Sequence, residues 1–347
     1  MEMVIKTNEK MNHEKVKDLL IETGQLVFRK VWQQLQESNL EMLSAVHKEA
    51  EDDTIYAIDR HVEEVLVEYM AGFAADLGGI VLMAEGVGDV HQGVVLPSGI
   101  QAKDAAIKII IDPIDGTRGI MYNKRSAFFL AGAAPNKGAD NTLADIEVAV
   151  MVELPTSKAH FSDTLWAIKG QGAHGFSLDI YSGSRKPILI QPSKAKTIMG
   201  GFGQIARFFP PGRSILAAIE DEMIDALVPS APAGKTLVFE DQYISSGGQM
   251  YEILMGHDRY VADIRDLLNK KLMAEGRPKG HICHPYDVCV FLIGQEAGLI
   301  ITDSKGKPFN CKMDLISDIG WIAYANAHIQ QEVEPILLKL MHKHNLL

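Results

Sequence analysis

The chain has 347 residues with 47% hydrophobic content, enough to bury a large core and to fill roughly two domains or one large layered unit. Its 34 Lys and Arg against 45 Asp and Glu give a net charge of -11, which excludes a broad nucleic-acid-binding surface but not a small anionic substrate held at a local cation. There is no transmembrane run, no signal-peptide core in the first residues and no disulfide spacing among Cys283, Cys289 and Cys311, so a cytoplasmic protein with reduced core thiols is expected.

In chain order, residues 14 to 34 carry Val16, Leu19, Leu20, Leu26, Val27 and Val31 at helical spacing, which predicts a helix with one buried stripe. A second helix is expected from about Thr54 to Ala75, with an inward stripe of Ile55, Val62, Leu66 and Tyr69. Asp59 shares that stripe. A carboxylate there needs a partner, a hydrogen bond or a metal, or else serves the helix dipole near the start of the helix.

After Gly78 and Gly79, Ile80 to Met83 reads as a strand that ends at Ala84-Glu85-Gly86. Taken alone, Glu85 is an ordinary solvated loop residue; it gains meaning only beside Asp112 and Asp115. The next strand, Ile109-Ile-Ile111, lacks alternation, as expected when both faces are covered. It runs into Asp112-Pro-Ile-Asp-Gly-Thr117, where one turn can gather two carboxylates and the Ile114 carbonyl around a hard cation such as Mg²⁺. Gly116 and Thr117 add a hydroxyl and amides suited to an anion. Asp-Pro and Asp-Gly are also common turn dipeptides, and an acidic turn needs no metal.

Strands are expected over 126–134, 146–154 and 166–170, with His174 in a tight turn. The Gly-, Pro- and Ser-rich stretch from Pro192 to Pro211 places a boundary near Gln191, giving domains 1–191 and 192–347. Ser245 to Leu254 reads as a closely packed helix. The segment 266–281 is basic, with Lys270, Lys271, Arg277 and Lys279, and reads either as a solvated helix and loop or as a substrate contact. A helix from His284 to Gly298 holds Asp287 in its first turn, either as a dipole-favourable acid or as a carboxylate delivered from the second domain to the first. A closing helix is expected near Gln330 to His344.

The ordered set Asp59, Glu85, Asp112-Pro-Ile-Asp-Gly-Thr117 and Tyr286-Asp287 followed by Glu296-Ala-Gly298 resembles the inositol monophosphatase family of lithium-sensitive, magnesium-dependent phosphatases, within the fructose-1,6-bisphosphatase-like superfamily. Pro155, Trp166 to Ala173 and Ser245-Ser-Gly-Gly248 extend the resemblance over residues 14 to 340. It implies a layered α/β/α/β/α sandwich, a small phosphorylated metabolite as partner and a homodimer. Two or three Mg²⁺ ions would be held by Glu85, Asp112, the Ile114 carbonyl, Asp115 and Asp287, and would clamp the attacking and leaving oxygens. Asp59, Glu85 and Thr117 would position the attacking water and take its proton, while Gly116 and Thr117 would bind the phosphate. Arg118 and the basic segment are candidate substrate contacts. Three departures stand out: Gly86 replaces a second Glu, Arg118-Gly119-Ile120 replaces an Asn and an aromatic residue, and the 266–281 segment is inserted. The expected activity is a phosphomonoesterase on a small polyol or sugar phosphate, with a bisphosphatase or a non-catalytic phosphometabolite-binding protein as alternatives.

Overall fold

The computed structural model describes residues 11–37, 46–49, 54–228, 232 and 234–347; the side chains of 46–49 and 54–61 lie outside the described residues. The chain divides into two compact units. The first comprises residues 1–188, 285–293 and 311–317, and the second 189–284, 294–310 and 318–347. The first division between the units falls at 188/189. Two short segments of the C-terminal half return to the first unit, so both units are discontinuous.

In the first unit, helix α1 (His13–Glu37) precedes a hairpin of β1 (Val46–Glu49) and β2 (Thr54–Tyr56), then helix α2 (Ala57–Ala74). The helix expected from Thr54 thus begins three residues later. An eight-stranded sheet follows, built from β3 (Ile80–Ala84), β4 (Val94–Leu96), β5 (Ile107–Asp115), β6 (Ala127–Pro135), β7 (Val148–Leu154), β8 (Phe161–Ile168), β9 (Ala173–Asp179) and β10 (Arg185–Pro187). The spatial order is β10-β9-β8-β7-β6-β5-β3-β4. Only β3 and β5 are parallel neighbours; the other pairs are antiparallel. A short helix α3 (Thr117–Met121) leaves the end of β5.

Alternation along the strands sorts the two faces. Ile109, Ile111, Phe129, Ala131, Ala133, Val148, Val150 and Val152 join Leu20, Val27, Val31, Leu66 and Met70 in one core, so α1 and α2 cover this face. Tyr69, expected on the buried stripe, instead turns its hydroxyl to Glu22 at 2.7 Å, and Met70 takes the buried place. A buried hydrogen bond from Gln25 Nε2 to Thr164 Oγ1 (2.9 Å) ties α1 to β8. His174, expected in a turn, lies on β9 and stacks on Trp166 with centroids 5.9 Å apart.

The second unit carries β11 (Gly201–Ile205), β12 (Val238–Phe239), β13 (Asp258–Asp263), β14 (Ile300–Asp303) and β15 (Trp321–Tyr324) in the order β12-β11-β13-β15-β14. Its helices are α4 (Arg213–Leu227), α5 (Ser246–Leu254), α6 (Arg265–Ala274) and α8 (Ala327–Lys343); α7 (Phe291–Glu296) crosses the 293/294 boundary. Ser245 caps α5 by accepting from Gly248 N at 2.8 Å, and Asn326 caps α8 by accepting from His328 N and Ile329 N. None of the three cysteines forms a disulfide, and Cys283 and Cys289 are buried.

Phe129, with no exposed surface, fills the interface between β6 and α1 opposite Gly24. Phe129→Ala is expected to cost about 3–5 kcal/mol by transfer and cavity formation. Urea unfolding of the variant measures this directly, and a loss below about 1 kcal/mol would show that α1 does not close this core.

Candidate metal centre

The backbone of β5 explains why two aspartates three residues apart share a face. In a regular strand, positions 112 and 115 would point to opposite sides. The pairing with β6 runs Asp112↔Leu130 and then Asp115↔Phe128, three residues against two, so β5 holds one extra residue there. Such a bulge restores the phase of the strand and re-aims its side chains. Asp112 and Asp115 therefore both lie on the side of Leu130 and Phe128, away from the core under α1 and α2. Asp112 Oδ1 accepts from Ile114 N at 3.0 Å, which fixes the turn within the bulge.

Parallel pairing supplies the next carboxylate. Ala84 of β3 is in register with Ile111, and Glu85 N donates to Ile111 O at 3.2 Å, so Glu85 follows Asp112 on the same side. The Glu85 side chain is hydrogen-bonded to Asp112. At the other end of the motif, Gly116 adopts φ +96°, a conformation that L side chains avoid, and turns the chain into α3. Thr117 Oγ1 donates back to Ile114 O at 2.8 Å. The Ile114 carbonyl, named above as a ligand, keeps a second lone pair for another partner.

Asp287 arrives from a short 3-10 turn, Pro285–Val288, packed on β5 and β6. The expected continuous helix from His284 to Gly298 is instead this turn followed by α7. Pro285, Tyr286, Val288, Cys289 and Val290 are all buried, and the turn packs on β5 and β6. Asp287 was expected to reach the first domain from the second; the turn that carries it belongs to the first unit itself. Gly132 on β6 makes room for it: a Cβ there would sit 2.7 Å from Cys289 O and 2.6 Å from Ile146 Cδ1. Nothing in the sequence around Gly132 signals this close approach.

Asp112, Asp115 and Asp287 each place a carboxylate oxygen within 4.8 Å of the others, with Asp112 and Asp115 buried. At that separation each ionised pair repels by about 3 kcal/mol or more at an effective dielectric near 20. Three such pairs rival the whole net stability of a folded domain, about 5–15 kcal/mol. Burial first, then the charges of Asp115 and Asp287, hold the Asp112 carboxyl well above its ordinary value. Burial and the same carboxylates also push the Cys289 thiol up, keeping it protonated rather than a soft thiolate ligand. An all-oxygen, strongly anionic cluster of this kind fits a hard divalent cation.

The remaining candidate residues are placed as follows. Asp59 falls in α2, with its side chain outside the described residues. Arg118 is half-buried in α3. The basic segment is a folded part of the second unit, with Leu267, Leu268 and Leu272 in its core and Asn269 exchanging two hydrogen bonds with the Gly280 backbone. Lys270 pairs with Asp266 at 3.3 Å, Lys271 with Glu275 at 2.6 Å and Arg277 with Glu275 at 3.4 Å; Lys279 is exposed.

No protein-family model matches the sequence, and sequence comparison recovers no curated protein. Structural comparison finds clear likenesses. A fructose-1,6-bisphosphatase from Leishmania major in holo form superposes with a TM-score of 0.66 at 14% identity, covering 96% of this chain and 99% of its own. The fold is that of the inositol monophosphatase and fructose-1,6-bisphosphatase structures. An IMPase from Thermotoga maritima gives 0.60 at 17% identity over 95% and 99% of the two chains, and the extragenic suppressor protein SuhB from Bartonella henselae 0.63 at 16% over 94% and 99%. Near-complete coverage in both directions shows that this chain spans the whole inositol monophosphatase fold. Among the described residues, no helix is long and apolar enough to cross a membrane.

Gly132→Ala is expected to displace the turn bearing Asp287. The overpacking should cost about 1–3 kcal/mol and, if the three carboxylates hold Mg²⁺, should remove most of the rise in melting temperature expected on adding it. Thermal melts with and without Mg²⁺ separate the two effects; an undiminished Mg²⁺ response would show that Gly132 does not set the position of Asp287.

Proposed function

We propose that the chain is a Mg²⁺-dependent phosphoric monoester hydrolase acting on a small polyol or sugar phosphate. The observation that carries this reading is the gathering of Asp112, Asp115 and Asp287 within 4.8 Å, beside Glu85 and next to the Gly116–Thr117 turn. Asp112, Asp115, Asp287, Glu85 and the Ile114 carbonyl would hold two or three ions. When bound, such ions supply a charge clamp for the phosphoryl oxygens and make a water nucleophilic near neutral pH.

The chain's own groups supply the rest. Glu85, at the end of β3, accepts the proton of the attacking water at its carboxylate. Thr117, whose hydroxyl donates to Ile114 O, would hold that water by accepting a hydrogen bond from it, and Asp59 enters this reading from the family resemblance alone. Amides around Gly116 and Thr117 donate hydrogen bonds to the phosphate oxygens, with Arg118 adjoining them.

A bisphosphatase is the second reading, favoured by the likeness to a fructose-1,6-bisphosphatase and by the basic segment. It ranks lower because Lys270, Lys271 and Arg277 already pair with Asp266 and Glu275. A phosphometabolite-binding protein without turnover is motivated by Gly86, where the family pattern has a second Glu. Phosphate release measured with Mg²⁺ across inositol, sugar and nucleotide monophosphates, fructose 1,6-bisphosphate and 3'-phosphoadenosine 5'-phosphate distinguishes the three. Binding without release would select the last, and neither binding nor release would overturn them all.

Asp112→Asn is expected to abolish release while raising the melting temperature of the cation-free protein by roughly a few °C, since it removes one of three repelling charges. The pH dependence has a definite sign. A carboxyl whose folded-state pKa lies above its unfolded value stabilises the protein at low pH and loses that contribution as pH rises through the folded value. Cation-free wild type should therefore lose stability as pH climbs above the ordinary carboxylate range, and Asp112→Asn should lose less. Parallel curves for the two proteins would refute the electrostatic account of the cluster.

A further inference from the structure

The turn that follows β3 carries a feature that the family pattern does not supply. Glu63, on α2 and half-buried, lays its carboxylate against the Cα of Gly86. A Cβ at position 86 would come 2.8 Å from Glu63 Cδ and closer still to Oε1. Gly86 sits at φ +74°, and the turn around it is closed by Val87 N donating to Ala84 O at 3.1 Å. The residue between Ala84 and Gly86 is Glu85, the carboxylate hydrogen-bonded to Asp112. One side chain from α2 thus rests on the backbone that aims a candidate cation ligand, and the missing side chain at 86 is what allows it.

We propose that Glu63 is a positioning residue for the cation site: it braces the 84–87 turn so that Glu85 stays beside Asp112, and it adds a negative charge at the edge of the cluster. The space that a side chain at 86 would fill is taken by a carboxylate from another element. Glycine at 86 and glutamate at 63 then form a matched pair, and neither is replaceable alone. This inference rests on the cation-site reading given above for its effect on Mg²⁺, but the packing of Glu63 on Gly86 stands without it.

The test is a double-mutant cycle. Asp is the substitution of choice at 86, because among L residues it tolerates positive φ comparatively well. Gly86→Asp alone should lower the melting temperature and weaken the Mg²⁺ response, since the new side chain meets Glu63. Glu63→Ala alone should raise the Mg²⁺ concentration for half-maximal thermal stabilisation by about tenfold, equivalent to about 1.4 kcal/mol, with a smaller effect on kcat at saturating Mg²⁺. Glu63→Gln, which keeps the shape and removes the charge, should fall between Glu63→Ala and wild type. In the double variant Glu63→Ala with Gly86→Asp, the Asp carboxylate should recover most of the lost Mg²⁺ affinity, and the damage from Gly86→Asp should largely vanish.

An unchanged Mg²⁺ dependence in Glu63→Ala, or equal harm from Gly86→Asp with and without Glu63, would overturn the proposal. The melting temperatures without Mg²⁺ read the packing by themselves. If wild type showed no Mg²⁺ response, the cation-site reading would fall; additive melting temperatures would sink the brace in that case too, and strong non-additivity would uphold it.

Discussion

Three carboxylates crowded within 4.8 Å at the end of a buried strand are the constraint around which the first unit is arranged. Such a group is unfavourable in isolation: burial strips it of water, and each charge raises the cost of the next. The surrounding structure accepts that cost through rigid backbone features. A bulge re-phases β5, a glycine in β6 admits the Asp287 turn, and a positive-φ glycine redirects the chain after Asp115. The apolar face of the same sheet, closed by α1 and α2, anchors these strands and so offsets the local penalty.

Much of this was legible in the sequence because it is written in local patterns. The all-apolar run Ile109–Ile111 announces a covered strand, the stripe from Val16 to Val31 a packed helix, and Asp112, Asp115, Gly116 and Thr117 a turn with unusual chemistry. Asp287 could be named from its motif, but not the unit to which its turn belongs. What escaped depends on register and close approach. A one-residue bulge, the backbone room at Gly132 and the reach of Glu63 over Gly86 are relations between distant positions, and no local pattern encodes them. The break between Pro285–Val288 and α7 belongs to the same class, since it goes with the packing of that turn on β5 and β6.

The basic segment shows the complementary error. Lys270, Lys271 and Arg277 look like available positive charge when counted along the chain, yet each has Asp266 or Glu275 as an acidic partner within four residues. Charge in a sequence is a sum, whereas charge available to a ligand is what remains after local pairing. Near-complete overlap with the inositol monophosphatase fold at 14–17% identity follows the same logic: architecture survives where sequence-wide similarity has faded, and chemistry must be argued from the few residues that meet in space.

The return of residues 285–293 and 311–317 to the first unit sets an order on how the protein can be made. A ribosome that has released the first 188 residues has delivered the whole eight-stranded sheet together with Asp112 and Asp115, but not the turn bearing Asp287. The nascent sheet must wait, with its bulge and the Gly132 surface uncovered, while nearly a hundred residues of the second unit are synthesised. Assembly of the full carboxylate triad therefore belongs to the last stage of synthesis, and a chain interrupted before residue 287 cannot complete it, however well its N-terminal part has folded.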